Sequence, residues 1–431
     1  MATGIFLIAS MLFFLVFGTP IAASVGVSTA FSMILAGDIQ ALPTIAQKMF
    51  TSIDSFPLLA LPLFTLAGAL MEVSGISERL VNFMKLVFHR LPAASACITT
   101  ISAAFFGAIS GSAPATAAAI GGVMIKPMVK NGYNPEDAAA INAASGSIGI
   151  IIPPSIPMVV FATTASVSIG ALFMGGVVPG LIVVATFCGM HIVRYHKIER
   201  SDAERIPLRQ GIQSFFDAIF ALGMPVIILG GIYGGIFTPT EAAAVSCIYA
   251  LIVGAFIYRT LSLKQILETL QSVGVKVGAM LIIVSSASVM AWYVSSSGLA
   301  KLVAASVLSG LSSKLAILTV INILLFVLGC FLDPTSIILL TCPIILPITA
   351  QLGMSPVAVG VFMTVNIAVG MVTPPLAGTI YISNQMAGLD SIGPMTKRLL
   401  PYIAAMILIT LLITYIPEIS LALPSMLGMA I

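Results

Sequence analysis

The sequence has very little charge. Only 8% of its 431 residues are Asp, Glu, Lys or Arg, and the net charge is +3. Soluble domains carry about 25% charged residues, so this chain has too few to cover a water-exposed surface. Nor does the small positive charge indicate a nucleic-acid partner. Because 59% of the residues are hydrophobic, the composition predicts a membrane protein without a separate soluble domain.

Patterns of enzyme active sites are also missing. The chain has no HExxH and no Walker A sequence, and its five cysteines form no CxxC pair. Asp333 is the only aspartate deep in an apolar stretch, whereas a membrane aspartyl protease needs two. His89, His191 and His196 are dispersed at the edges of polar segments, where we expect them at the membrane interface. We therefore predict neither an enzyme nor a histidine metal site.

Three long stretches of the chain contain almost no charged residue. Leu91 to Ile125 and Pro334 to Leu389 contain no charged residue, and Ala138 to His191 contains only that histidine. A membrane helix needs about 20 apolar residues, so each stretch holds more than one crossing, or a crossing and a re-entrant segment. These runs predict an all-α polytopic membrane protein. We interpret the apolar start at Ile5 as a first membrane helix and not as a removed signal.

The pattern of Pro, Ser-Gly and Pro-Pro positions recurs after about 220 residues. The matching pairs keep their order along the chain: Pro20 with Pro239, Ser74-Gly75 with Ser297-Gly298, Pro114 with Pro334, Pro135 with Pro356, and Pro153-Pro154 with Pro374-Pro375. Repeats in an apolar chain whose helices break at corresponding places indicate a secondary transporter. We predict repeats at 1–205 and 206–431. A channel stays open as an alternative, although paired breaks favour gated access.

Charged segments suggest the orientation. Arg194 to Arg209 is rich in arginine and lysine, which predicts a cytoplasmic location. If each repeat crosses the membrane an odd number of times, the two repeats are inverted. Ser77 to Arg90 is amphipathic, and Leu299 to Leu311 is its more apolar counterpart. They are interpreted as interfacial helices that join a moving core to a fixed frame, or equally as plain surface helices.

Two segments predict hairpins that turn inside the protein, at about 92–125 and 315–350. Gly111 and Pro114 interrupt the first, and Asp333-Pro334 interrupts the second. Broken backbone at membrane depth is tolerated where it is buried or lines a wet cavity, and it frees carbonyl oxygens for a cation and N–H groups for an anion. Asp333 suits either an ion site or a helix N-cap. Glu241 is expected to cap or pair at a helix start.

Two further segments, at about 137–165 and 355–387, each contain an Asn, then a Gly, then two prolines. Adjacent prolines cannot continue a helix, so each segment predicts a broken helix. Polar groups near the breaks are Asn142, Ser145, Ser147, Gly149, Asn366, Gly370 and Thr373. Four breaks predict two cation sites with an anion between or beside them. The alternative is close helix packing at Gly and Ser.

Several long motifs resemble the large membrane (M, DctM-type) subunit of tripartite ATP-independent periplasmic (TRAP) transporters. They are SGSAPATAAAIG, GSIGIIIPPSIPMVVFA, GGIFTPTEAAAV, FLDPTSIILLTCPIILPI and VNIAVGMVTPP. The resemblance implies an elevator-type importer, with a discontinuous scaffold and a transport domain that contains the two hairpins. It also implies sodium-driven uptake of an organic acid across the bacterial inner membrane. C4-dicarboxylates, sialic acids, other sugar acids and keto acids all remain open.

The resemblance further implies site residues and partners. One sodium ion would bind at Ser110, Ser112, Thr116, Asn142 and Gly149, and a second at Asp333, Thr335, Asn366, Gly370 and Thr373. The substrate carboxylate would lie between the hairpin tips and the proline-broken loops, near Ser112, Ser145, Ser147, Pro154 and Pro375. The expected partners are a periplasmic substrate-binding protein, a small four-helix membrane subunit as a separate gene product, and the lipid bilayer.

Overall fold

The computed structural model describes residues 2–199, 208–299, 302, 305 and 313–431. Every regular element within these ranges is helical, which confirms the predicted all-α class. Most of the predicted helix at Leu299–Leu311 lies outside the described residues, as do Arg200 and Arg205 of the basic segment.

Ten α-helices form the first half of the described chain. They are α1 (Ala2–Val16), α2 (Ile21–Leu35), α3 (Leu42–Ile53), α4 (Ala60–Val73), α5 (Ile76–Phe88), α6 (Ala94–Ser110), α7 (Ala113–Lys130), α8 (Pro135–Ser147), α9 (Ile156–Ala165) and α10 (Ile169–Tyr195). A short 3-10 turn, Ile148–Ile150, extends α8 toward its break.

The second half of the described chain has nine α-helices. They are α11 (Leu208–Tyr233), α12 (Pro239–Ile252), α13 (Leu263–Ser296), α14 (Lys314–Gly329), α15 (Pro334–Gln351), α16 (Pro356–Gly370), α17 (Gly378–Met386), α18 (Gly393–Tyr415) and α19 (Glu418–Met426).

Seven helical stretches in the described residues are long and apolar enough to cross a membrane. They are Phe56–Val73, Ile169–Tyr195, Phe215–Tyr233, Pro239–Ile257, Leu263–Ser296, Pro334–Gln351 and Gly393–Tyr415. Several helices beside the predicted breaks, such as α6 and α16, are shorter than this, whereas α15 is one of the seven. A membrane protein built from both full-length and short apolar helices is the result.

We distinguish two groups of helices by their contacts and call them the frame and the inner body. In the frame, α4 packs on α12 and α13, and α13 also contacts α2 and α3. In the inner body, α7 packs between α6 and α8, α14 packs on α16, and α17 lies against α7 and α8. Large fully buried side chains, including Phe106, Phe161 and Phe362, fill the inner body. The short helices beside the breaks therefore lie together.

Helix α5 confirms the predicted amphipathic helix at Ser77–Arg90. Its buried face consists of Ile76, Leu80, Val81 and Met84, and it packs against α6 and α11. Val87, on the same helix, is 50% exposed. The helix thus links α11 to α6, which precedes the first break. Its location at a membrane surface stays a prediction.

Several helices start at a polar cap followed by proline. Thr238 and Glu241 form a reciprocal capping box at the start of α12, which confirms the predicted capping role of Glu241. Asp333 caps α15 by accepting a hydrogen bond from the Ser336 backbone N–H at 3.1 Å. Proline suits the first helical turn because its missing N–H has no partner there in any case. These local signals fix where the helices begin after each break.

Candidate functional site

The first break lies between α6 and α7, which pack side by side as hairpin 1. Gly111 takes a left-handed conformation (φ +59°) that favours glycine. Ser112 then caps α7, and its hydroxyl accepts from the Ala115 backbone N–H at 3.5 Å. Glycine, serine and Pro114 therefore turn the chain within two residues, as the predicted hairpin requires.

The hairpin tip contacts the first proline loop, residues 151–155, which joins α8 to α9. The backbone N–H of Ile156 donates to the Gly111 carbonyl at 3.3 Å. A Cβ added to Gly111 would lie 2.8 Å from the Pro154 carbonyl oxygen, and the Pro153-Pro154 bond is cis. The structure thus brings two breaks together that are some 40 residues apart in sequence.

Gly149 packs into the inside of hairpin 1. A Cβ added to Gly149 would collide with Thr116 Oγ1 and would lie 2.9 Å from the Ser112 carbonyl oxygen. A Cβ added to Gly107 would lie 2.7 Å from Gly149 Cα. Only glycine allows so close an approach of backbone to the hairpin. The small residues here therefore serve close packing, and the same packing surrounds Gly149 with oxygen atoms.

The predicted residues Ser110, Ser112 and Thr116 converge. The Ser110 and Thr116 hydroxyls are hydrogen-bonded at 2.9 Å, and Ser110 Oγ donates to the Ser112 carbonyl at 3.4 Å. Thr116 is fully buried and Ser110 is 4% exposed. Two hydroxyls and one carbonyl give a neutral group of hard oxygen donors, the type that binds hard cations.

The second break lies between α14 and α15, which form hairpin 2 and contact each other less than α6 and α7 do. The second proline loop, residues 371–377, joins α16 to α17. The backbone N–H of Leu376 donates to the Cys330 carbonyl at 3.2 Å, as Ile156 does to Gly111. A Cβ added to Gly329 would lie 3.0 Å from Gly370 Cα, matching Gly107 and Gly149. Pro374-Pro375 is also cis.

The second set of predicted residues is less concentrated than the first. Asp333 is exposed and its carboxylate binds the backbone N–H and hydroxyl of Ser336. Thr335 is 3% exposed, and the Thr373 hydroxyl donates to the Val369 carbonyl at 2.8 Å. Within the described residues, no hydrogen bond joins Asp333 to Thr335 or Thr373. The cap role of Asp333 is thus observed, and its ion-site role stays a prediction.

The two predicted asparagines lie behind the breaks. Asn142 Nδ2 donates to the Ala117 carbonyl at 2.9 Å and to Ser383 Oγ at 2.8 Å. Asn366 Nδ2 donates to Asn322 Oδ1 at 2.7 Å. The Oδ1 atoms of Asn142 and Asn366 are buried without a hydrogen-bond partner. Each asparagine therefore ties a broken helix to a neighbouring helix and does not touch a hairpin tip.

The predicted substrate residues separate into two groups. Ser145 and Ser147 are fully buried, and their hydroxyls bond to Thr100 Oγ1 at 2.8 Å and to the Ala144 carbonyl at 2.7 Å. Neither bonds to a hairpin tip in the described structure. Pro154 lies against the first tip, as described above, whereas Pro375 is exposed. Ser112 and Pro154 are thus together, and the two serines are inside the helix packing.

A buried histidine network is absent from the sequence interpretation. His191 is 0% exposed, so its expected interfacial location is wrong. Its Nε2 lies 2.8 Å from Thr100 Oγ1 and its Nδ1 lies 3.0 Å from the Tyr402 hydroxyl. The His196 side chain is exposed, as expected. The sequence does contain a signal for this burial: His191 lies three residues before Arg194 in an apolar helix, on the same face as Phe187 and Tyr195.

A buried carboxylate near the end of α10 was also missed. Asp137 has a side chain only 6% exposed and lies 3.3 Å from Arg194 and 3.6 Å from Arg398. The Tyr195 hydroxyl donates to the same oxygen at 2.8 Å. Since Arg398 belongs to α18, this cluster joins α8, α10 and α18 at one end of the inner body.

The chain matches a family model described as "Tripartite ATP-independent periplasmic transporter, DctM component" over residues 8–419. The YdaH transporter of Alcanivorax borkumensis has a similar fold, with a TM-score of 0.66 at 16% identity over 88% of this chain and 89% of that one.

Three relatives carry different substrate names. The isethionate TRAP transporter permease protein DctMQ of Oleidesulfovibrio alaskensis is 39% identical over 94% of this chain, which spans only 64% of that longer protein. The C4-dicarboxylate TRAP transporter large permease protein DctM of Pseudomonas aeruginosa is 36% identical over 94% of this chain and 95% of the relative. The sialic acid TRAP transporter large permease protein SiaM of Vibrio cholerae is 34% identical over 88% and 89%.

The family model covers nearly the whole chain, and the DctM and SiaM relatives match it over about nine tenths of their own length. The chain therefore belongs to the DctM component family of TRAP transporters, which are membrane permease subunits and not enzymes.

Proposed function

We propose that this chain is the translocating subunit of a sodium-coupled importer for a carboxylated organic acid. The observation that carries the proposal is the paired meeting of hairpin tip and proline loop, once at Gly111 and Ile156 and again at Cys330 and Leu376. Two such junctions in one inner body offer two cation sites and a shared space between them. The two-fold recurrence also supports inverted repeats, with the inner body moving as an elevator against the frame.

The first sodium site is proposed at the oxygens of Ser110, Ser112 and Thr116, beside Gly149. These atoms already converge, and a cation would replace the hydrogen bond between the two hydroxyls as their shared partner. Sodium suits the site because the donors are hard and neutral, so the ion adds one positive charge to the hairpin. Asn142 is given a positioning role, because it holds α8 to α7 one turn away.

The second sodium site is proposed around Asp333, Thr335, Gly370 and Thr373, with Asn366 as a positioning residue on α16. Thr335 is 3% exposed and its hydroxyl makes no hydrogen bond in the described structure, and Asp333 brings a negative charge to the same hairpin. A cation there would offset the cost of moving a carboxylate through the membrane. The first site has no carboxylate among its donors, so sodium binding should depend more strongly on charge at the second site.

The carboxylate of the substrate is proposed to bind between the two tips, near Ser112, Pro154 and Pro375. Helices α7 and α9 both begin at this junction, capped by Ser112 and Ser155. Helix N-termini offer free N–H groups and a positive end to an anion. Ser145 and Ser147 support the loop from behind through their bonds inside the packing.

Coupling follows from charge. An inner body that carries an anion without sodium would bury unpaired charge as it moves, which is costly in a bilayer. Bound sodium removes that cost, so the loaded state is the one that crosses. The ions therefore drive uptake by changing which state of the inner body can move.

We further propose the substrate class and the partners. The relatives' names include C4-dicarboxylate and sialic acid, and both compounds carry the carboxylate that the junction would bind. A periplasmic substrate-binding protein would deliver the acid, and a small four-helix membrane subunit would complete the frame. The location proposed is the bacterial inner membrane, with the Arg194 end of the inner body in the cytoplasm.

Uptake into vesicles tests the proposal. The chain is reconstituted with its small subunit and binding protein, and uptake of labelled succinate and labelled sialic acid is followed with an inward sodium gradient. We expect uptake of one acid that requires both sodium and the binding protein. Uptake that is unchanged when potassium replaces sodium, and that follows a pH gradient instead, would establish proton coupling and refute the sodium proposal.

A further inference from the structure

A basic pocket lies apart from the hairpin junctions. It is a cavity of about 640 Å³ between the end of α5, the start of α6 and the end of α7. Lys85 and His89 line it from α5, and Lys126 and Lys130 line it from α7. The pocket therefore lies between the amphipathic helix α5 and the end of hairpin 1 that is remote from its tip.

Among the described residues, no carboxylate pairs with the three lysines of this pocket. None of Lys85, Lys126 and Lys130 lies within 4.0 Å of an acidic oxygen in the described part of the chain. Burial lowers the pKa of Lys85, although Glu78 on the same helix raises it in part. The ammonium group of Lys85 has thus lost some of its hydration without gaining an ion pair.

The one carboxylate in the pocket is already satisfied. Glu199 accepts from the Ser95 backbone N–H at 2.7 Å and from the Ser95 hydroxyl at 2.5 Å. It also accepts from Asn131 Nδ2 at 2.7 Å and from the Tyr133 hydroxyl at 3.1 Å. These four bonds hold Glu199 in the wall, and its single negative charge against three lysines leaves the described lining with a surplus of positive charge.

His89 adds an unused polar atom. Its Nδ1 lies 2.7 Å from the Leu86 carbonyl, which can only accept, so Nδ1 carries the proton. Its Nε2 is buried and has no hydrogen-bond partner. In the neutral ring Nε2 is an acceptor, which leaves an unpaired polar atom in the wall that His89 contributes.

The pocket also has an apolar side. Ala94, Ile98 and Pro127 line it, and Val87 and Val129, on the two helices that flank it, are 50% and 38% exposed. A ligand with both an anionic group and a hydrocarbon part matches such a site better than a free anion does. Arg194 and Arg398 lie at the same end of the inner body, which is the end that positive charge assigns to the cytoplasm.

We propose that this pocket binds the phosphodiester headgroup of an anionic phospholipid such as phosphatidylglycerol. The three lysines bind the phosphate, and the acyl chains leave along Val87 and Val129. Basic pockets between membrane helices on the cytoplasmic side are a known setting for such headgroups. A lipid held here would bridge the frame helix α5 and hairpin 1.

Lipid binding to the purified full chain tests this proposal. The protein is exchanged into mixed phosphatidylglycerol and phosphatidylethanolamine micelles, and retained lipid is counted by native mass spectrometry. The test variant is Lys85→Gln/Lys126→Gln/Lys130→Gln. The matched control is Lys197→Gln/Lys264→Gln/Lys397→Gln, which removes the same charge from three exposed positions.

We expect the wild type and the control to retain phosphatidylglycerol preferentially, and the test variant to bind it about a hundredfold more weakly. Each single substitution should weaken binding about fivefold, which keeps the test valid if the triple variant does not fold. Equal retention by test variant and control would overturn the proposal. Displacement of the lipid by inorganic phosphate at equal concentration would overturn the lipid assignment and identify a site for a soluble anion.

Discussion

Gly370 lies so close to Gly329 that a Cβ added to Gly370 would collide with the Cα and carbonyl carbon of Gly329. This contact fastens the broken helix α16 to hairpin 2, and Gly149 and Gly107 make the same contact at hairpin 1. Because both partners are backbone, neither contact can adapt by a change of side-chain rotamer.

The first prediction concerns this contact. Gly370→Ala should force α16 away from hairpin 2, lower the free energy of unfolding by about 1–3 kcal/mol, and reduce uptake. Gly278→Ala is the control, because nothing lies within 4 Å of a Cβ added there. Thermal unfolding and vesicle uptake are measured for both. Equal stability and uptake in the two variants would show that the helix and the hairpin are not held by this contact.

The second prediction concerns the first sodium site. Thr116→Val keeps the shape of the side chain and removes a hydroxyl that bonds to Ser110. We expect the sodium concentration for half-maximal uptake to rise about tenfold or more, since a bond to a charged group contributes about 1.5–3 kcal/mol. Thr186→Val is the control, because its hydroxyl bonds only within α10. An unchanged sodium dependence in Thr116→Val would remove this residue from the site.

The third prediction separates the two roles of Asp333. Asn and Asp cap helices equally well, so Asp333→Asn should leave the unfolding temperature unchanged. If the carboxylate also neutralises sodium, as proposed, the same variant should need more sodium for uptake. Asp333→Ala should show both defects, with a loss of about 1 kcal/mol for the missing cap. A wild-type sodium response in Asp333→Asn would leave Asp333 as a cap alone.

The fourth prediction concerns the buried histidine. His191→Leu deprives the Thr100 and Tyr402 hydroxyls of a partner, which should lower the free energy of unfolding by about 1–3 kcal/mol. His196→Leu, at an exposed position, should change stability little. Chemical denaturation in detergent compares the two. Loss of stability in both, or in neither, would contradict a specific structural role for His191.

The breaks were predictable because proline and glycine act locally. Gly111, Pro114 and the paired prolines stop a helix wherever the chain is placed, so the sequence placed each break close to its observed position. The cap at Asp333 and the capping box at Glu241 are equally local, since each depends on residues three positions apart.

The partners of the polar side chains were not predictable in the same way. Ser145 lies near a break in sequence, yet its hydroxyl bonds to Thr100, 45 residues away. The partner of Asn366 is Asn322, and that of Asn142 is Ser383, 241 residues away. Such pairs depend on how the helices pack against one another. A single sequence carries no direct signal of that packing. The Nδ2 atoms of both amides link helices, and an ion-ligand role for their Oδ1 atoms stays a prediction.

The central proposal is that sodium and the acid cross together. Counting the sodium ions that enter with each acid molecule is its decisive test. Vesicles that contain the complete transporter, with no pH difference across the membrane, are given the transported acid and labelled sodium outside. We expect sodium to enter together with the acid in a fixed ratio, and neither to accumulate without the other. Accumulation of the acid with a rise in internal acidity and no entry of sodium would contradict it.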